Sequence, residues 1–191
     1  MPINPAQKIT DHWEGVKDNL ESIKDFNVFV GVPSETTGRS DTTVVNNATI
    51  AYINDNGSPA MGIPARPFMR PGIKDAQDVI KEALKRGMDG LLKGDVGSIE
   101  RALMRVGLIA QRSIISKIVE GIPPPLAIST LKARARGKLL ANGKRSFSAK
   151  KGAKEEIERR IEGIAESTKF AKPLIQTGSL KSSINFVIRR E

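Results

Sequence analysis

Apolar residues recur at three- and four-residue steps in several stretches of the chain and alternate with polar ones in others, which predicts helices packed on a small sheet. From Thr10 to Lys24, Trp13, Val16, Leu20 and Ile23 form one stripe, with Asp18 and Glu21 facing water. That is a first helix. Phe26 to Val32 (FNVFVGV) alternates and is rich in branched and aromatic residues, and Pro33 closes it because proline cannot donate to a ladder. It reads as a strand. Ser34 to Asn47 is polar throughout and reads as a long loop. Ala48 to Ile53 (ATIAYI) resumes an apolar run before the Asn54-Asp55-Asn56-Gly57 turn cluster. Its length suits a strand or a short helix, and we carry it forward as a strand.

Pro59 to Pro71 holds prolines at 59, 64, 67 and 71, which predicts extended or irregular backbone. Lys74 to Lys93 has Ala76, Val79, Ile80, Ala83 and Leu84 on one side, followed less regularly by Met88, Leu91 and Leu92, and reads as a helix. Gly94 to Gly97 breaks it. Ser98 is then expected to cap a second long helix, along which Ile99, Leu103, Val106, Ile109, Ala110, Ile114 and Ile118 keep a helical period. Gly121 and three consecutive prolines end that helix. Near the C-terminus, Ala153 to Ser167 carries Ile157, Ile161 and Ile164 at helical spacing. Thr177 to Ile184 reads as a capped short helix, and Ile184 to Arg190 alternates like a closing strand.

These elements predict an α+β fold: a small antiparallel sheet from Phe26–Val32, Ala48–Ile53 and Asn185–Arg190, packed against two long helices, with long loops and a basic insertion. Residues 1–131 and 168–191 are expected to form the core domain, and 132–167 a basic arm and helix inserted near the C-terminus. No repeat of 20 to 50 residues is visible, so solenoids and propellers are excluded.

Composition sharpens this picture in three ways. With 191 residues the chain suits one domain. Only 39% of its residues are hydrophobic and 4% aromatic, so its core should be modest and aliphatic, with some surfaces completed by other subunits. There is no cysteine, which removes disulfides, thiolate metal sites and a thiol nucleophile together. The first residues have no apolar stretch of signal-peptide length, and no run approaches the roughly 20 apolar residues of a membrane span. A protein made and used without export, with no membrane partner, is the expectation.

The formal net charge is +10. From Lys132 to Arg160 lie eleven basic and three acidic residues, a net of +8, so nearly all the excess charge sits in one segment. Lys132, Arg134, Arg136, Lys138, Lys144, Arg145, Lys150 and Lys151 could neutralise phosphates on DNA in a salt-sensitive, sequence-independent way. They could equally form a solvated arm or dock on an acidic partner. Phe147 is the sole aromatic residue there, which argues against base stacking.

Candidates for chemistry are few. His12, the single histidine, has Gly15 and Val16 at the positions where a helix would place partner ligands. Asp75, Asp78 and Glu82 sit among Lys74, Lys81 and Lys85 on a polar helix face, where solvated pairing accounts for them. Asp55, Asp89 and Asp95 neighbour glycines, as turn and helix-end residues do. Phosphate-loop and dinucleotide spacings are absent, and no metal-ligand spacing stands out. Neither catalysis nor a cofactor nor a metal is expected.

Three segments carry a family resemblance. IAYINDNGSPAMGIPARPFMRPGI (Ile50 to Ile73) is similar to the Ile-Pro-Ala-Arg-Pro-Phe-x-Arg-Pro stretch of phage tail-component and virion-morphogenesis proteins, with Asp55-Asn56 where that group has glutamate-phenylalanine. GIPPPLAISTL (from Gly121) resembles the element that precedes a basic stretch in the same group. PLIQTGSLKSSINFVI (Pro173 to Ile188) resembles its C-terminal Pro-Leu-x-x-Thr-Gly-x-Leu-x-x-Ser-Ile element, which Mu-like morphogenesis and neck proteins share. The resemblance implies a non-enzymatic virion protein of the neck or tail-completion junction, assembled in the host cytoplasm. Its partners would be copies of itself in a hexameric or dodecameric ring, other neck and tail proteins, and non-specifically the genomic DNA. A basic nucleic-acid-binding protein without catalytic activity is the alternative.

The proline-rich strip makes sense apart from the family. Pro64, Pro67 and Pro71 stiffen it, so Ile63 and Phe68 can anchor, and Arg66 and Arg70 fork onto carboxylates, at a subunit interface. The other reading is a core-crossing loop in which Phe68 plugs the domain's own core.

Overall fold

The computed structural model describes residues 17, 21, 26–34, 46–95, 97–136, 147–176 and 178–190. Among these are two strands and seven α-helices: β1 (Phe26–Gly31), α1 (Asn47–Asn56), α2 (Met69–Asp75), α3 (Gln77–Leu92), α4 (Gly97–Glu120), α5 (Ile128–Arg136), α6 (Phe147–Ile161), α7 (Ser179–Ser183) and β2 (Asn185–Arg190). A short 3-10 turn covers Pro59–Met61. The fold is α+β, with β1 and β2 paired in one small antiparallel sheet. The helix expected over Thr10–Lys24 and most of the Ser34–Asn47 loop lie outside the described residues.

The third expected strand is a helix. Asn46 stands just before α1 with extended backbone, and its side chain accepts from the Thr49 amide at 2.8 Å, satisfying one of the amides a helix start leaves unpaired. Gly57, at φ 79°, closes the other end. Only Asn47 and Ala51 are buried along α1, and Thr49 between them is exposed, which one helix face explains and an alternating strand, where all three would share a face, does not.

The chain divides into two compact units. The first comprises residues 26–30, Ala76–Gln111 and 186–190. Its strands half-bury alternate residues as their sequences predict. Phe186 of β2 lies on Gly107 of α4, where an added Cβ would stand 2.2 Å from the ring, so glycine here is what lets a sheet aromatic reach the helix backbone. Arg190 and Arg189 cover the rings of Phe26 and Phe29, with centroid distances of 5.4 and 5.9 Å. Along α4, Ile99, Leu103, Val106 and Ala110 are buried as the helical period requires. Ser98 is not a cap: it lies within α4, buried, and its hydroxyl donates to the Gly87 carbonyl at 2.7 Å. The helix predicted over Lys74–Lys93 is divided at Ala76 into α2 and α3, and α3 packs through Ala83, Gly87 and Leu91 while Val79 and Leu92 face solvent.

The second unit comprises Gly31–Asp75 and Arg112–Asn185. Phe68, Ile114, Ile118, Leu131 and Ile184 are its largest fully buried apolar side chains. Residues 132–136 and 147–167, expected to stand apart as a basic insertion, belong to this unit. Helices α5 and α6 pack on each other through Leu131 and Ala153, with Leu126 and Ala171 completing the cluster and Ala135 and Ile157 at its edge. The apolar content that looked too thin for a core suffices because small residues let the backbones approach: a Cβ on Gly152 would fall 2.1 Å from the Phe170 carbonyl oxygen. Helix α6 begins earlier than its isoleucine spacing predicted and ends at Ile161. Ile161 is 80% exposed, so the packed stripe is Gly152, Ala153, Glu156 and Ile157 instead.

Removing the Phe68 ring should leave a cavity that neighbouring aliphatic groups refill poorly. Phe68→Ala is expected to lower stability by about 3–5 kcal/mol, read from the denaturant midpoint of the full chain.

Candidate functional site

The proline-rich strip is held from below by α1. Asp55, in the last turn of α1, accepts hydrogen bonds through Oδ1 from the backbone amides of Phe68 (2.7 Å) and Met69 (3.0 Å). A carboxylate placed on the amides that open α2 caps that helix and complements its dipole. This is why the irregular stretch ends sooner than the prolines suggest: Pro71 falls in the first turn of α2, where no intrahelical amide is required of it. Strip and helix are further joined by the Arg66 amide, which donates to the Asn54 carbonyl at 2.8 Å.

Arg66 does not wait at the surface for a carboxylate. It is 5% exposed, and its guanidinium donates from Nε (2.9 Å) and Nη2 (2.8 Å) to the Pro124 carbonyl and from Nη2 to the Pro125 carbonyl (3.3 Å). Burial pulls its pKa below the ordinary arginine range. Phe68 is fully buried. The expectation that Arg66 and Phe68 form a subunit interface is therefore corrected, since both are spent inside their own unit. Of the four residues proposed for that interface, half-buried Ile63 and exposed Arg70 remain reachable from outside.

A second guanidinium repeats the pattern. Arg134 of α5 donates from Nη1 to the carbonyls of Lys172 (2.9 Å) and Ile175 (3.3 Å) and from Nη2 to that of Pro173 (2.7 Å). Its pKa is lowered by burial and then by the nearby charge of Arg66. Arg134 is thus not one of the solvated arm cations expected to meet DNA or an acidic partner, because three of its five N–H donors are committed to backbone carbonyls within its own unit. Lys132, Arg136 and Lys151 are exposed, make no ion pair among the described residues, and stay eligible; Lys150 is half-buried. Lys138, Lys144 and Arg145 lie outside the described residues.

Glu156 was not singled out by sequence, yet it is wholly buried. Its Oε1 accepts from Arg160 Nε at 3.1 Å and from the Ser167 amide at 2.9 Å, while Arg160 also donates to the Leu126 carbonyl at 3.0 Å and pairs with Glu166 at 3.0 Å. Arg159 stands 3.8 Å from Glu156 Oε2 and its guanidinium lies 4.7 Å from the Phe170 ring centroid. The network ties α6 to the segment after it and to the residues before α5. A signal was present, since Glu156 shares the helical stripe of Gly152, Ala153 and Arg160, but isoleucine spacing pointed to another face.

The remaining acids behave mainly as surface groups. Asp78 pairs with Lys81 at 3.4 Å and Glu82 with Arg86 at 3.0 Å, both solvated. Asp75 departs from the expected local pairing and meets Lys117 of α4 at 2.8 Å. That contact, with a second from Glu120 at 3.1 Å, raises the Lys117 pKa. Asp95 pairs with Arg101. Among the described residues, no group of three or more His, Asp or Glu gathers as metal ligands would. No helix among them is long and apolar enough to cross a membrane.

No protein-family model, curated protein or solved structure matches this chain.

Two outcomes follow from the buried charges. Glu156→Ala would take the acceptor from Arg160 Nε and the Ser167 amide while Arg160 keeps Glu166 and the Leu126 carbonyl, with an expected loss of about 1–3 kcal/mol in equilibrium unfolding. Arg66→Lys keeps the charge but cannot span Pro124 and Pro125 with a planar fork. It should lower the unfolding midpoint nearly as far as Arg66→Ala, a loss of about 2–4 kcal/mol.

Proposed function

We propose that this chain is a structural subunit of a tailed-phage virion, placed at the head–tail junction as a neck or tail-completion protein, and that it works by assembling into a closed ring around the DNA path rather than by catalysis. The observation that carries this reading is the way the three family-like segments are used together. Arg66 of the first grips the carbonyls of Pro124 and Pro125 in the second, and Arg134, a few residues beyond the second, grips those of Lys172, Pro173 and Ile175 at the third. Segments spread over more than a hundred positions thus form one framework, which is how a shared scaffold would leave its mark on a sequence.

Exposed charge and exposed apolar groups supply the working surfaces in this reading. Lys132, Arg136 and Lys151 offer solvated cations for DNA or an acidic neighbour, and Arg70 and Ile63 lie at the accessible side of the proline strip. Met61 and Tyr52, 70% and 69% exposed, are large side chains that a neighbouring subunit would cover. In a ring these contacts are heterologous, one face of a copy meeting a different face of the next, so closure fixes the subunit number.

Electron microscopy of the purified chain and of particles carrying it is expected to show rings or density at the neck. A chain that stays monomeric at high concentration, is missing from finished particles and binds DNA with a steep salt dependence would replace this reading with that of a basic nucleic-acid-binding protein. Because 132–136 and 147–151 are helical parts of a packed unit, the arm is best tested by charge. The triple change Lys132→Glu, Arg136→Glu and Lys151→Glu should leave the thermal midpoint within a few degrees of the parent and impair particle maturation.

A further inference from the structure

Within the second unit, a cavity of about 230 Å³ opens between α1, Arg134 and the turn that leads into α7. Asn47, Asn54, Arg134, Gln176, Gly178 and Ser179 give it its polar lining. Among the described residues no carboxylate lines it, and neither Arg134 nor Arg66 makes an ion pair. A guanidinium has five N–H donors. Three hydrogen bonds to carbonyls account for part of Arg134; among the described residues its buried Nε–H meets no acceptor and one Nη2–H has no partner. Gln176, exposed, adds a side-chain amide, and the buried Asn47 amide lines the cavity while donating from Nδ2 to Ser179 Oγ at 3.4 Å.

The combination is chemically one-sided. Carbonyl oxygens satisfy hydrogen bonds but leave a guanidinium's full charge uncancelled. A cation is repelled from such a cavity and a neutral molecule gains little from it. A compact anion with several acceptor lone pairs gains both field and donors. We propose that this cavity is an oxyanion-binding site, taking a carboxylate or phosphate group against Arg134 with the amide of Gln176 at its mouth.

The test follows the thermal midpoint of the full-length chain in sodium phosphate, sodium acetate and sodium chloride at matched ionic strength, beside the isosteric variant Gln176→Glu. Binding to the folded state should raise the parent's midpoint saturably with phosphate, acetate or both, beyond chloride. A response to phosphate alone assigns a phosphate group, and an equal response to acetate assigns a carboxylate. Phosphate also stabilises proteins generally through exclusion from their surfaces, an effect that does not saturate and that Gln176→Glu would leave intact. In that variant a carboxylate is already installed at the cavity, so the saturable response should shrink at least about fivefold. Parent midpoints no higher in either oxyanion than in chloride, or a response undiminished in Gln176→Glu, would overturn the proposal.

Discussion

A buried guanidinium donating to backbone carbonyls is the contact on which the second unit depends. Proline-rich segments present a difficulty for any fold: their carbonyls still need donors, yet they bring no amide hydrogen of their own to a ladder. Arg66 resolves it for Pro124 and Pro125, and Arg134 does the same for Lys172, Pro173 and Ile175. Neither arginine could be buried without those acceptors, since an unpaired charge in the interior costs several kcal/mol. Strip, triple proline and C-terminal turn therefore stabilise one another, and Asp55 adds the start of α2 to the same assembly.

Much of the fold was legible. The α4 stripe from Ile99 to Ile118 is buried almost as its period requires, and both strands of the sheet fall where alternation put them. Ala48 to Ile53 misled because a six-residue apolar run suits either state; Asn46 and Gly57, as N-cap and C-cap, held the deciding information. The isoleucines of α6 misled for a different reason. Ile161 is left outside while Gly152, Ala153 and Glu156 pack, because close approach of two backbones outweighs the burial of one large side chain.

The site was harder to read than the fold. A run of cations looks alike in sequence whether its members are solvated or structural, and what separates Arg134 from Lys132 and Arg136 is the set of carbonyls that the turn after Lys172 brings to it, a contact across some forty residues. Arg66 and Phe68 likewise carried two readings, and depth of burial chose the core over the interface. Glu156 was hidden as one acid among several in a helix rich in both signs, its stripe with Gly152 and Ala153 overshadowed by the isoleucine spacing.

The two arginine joints share a property that reaches beyond stability. Each recognises main-chain oxygen, an atom every amino acid provides, so only the arginine half of the joint is specified by side-chain identity. Mutation at 124, 125, 172, 173 or 175 can change the residue and still leave the acceptor, provided the path of the chain is kept. Architecture anchored in this way can persist while the letters opposite each arginine drift.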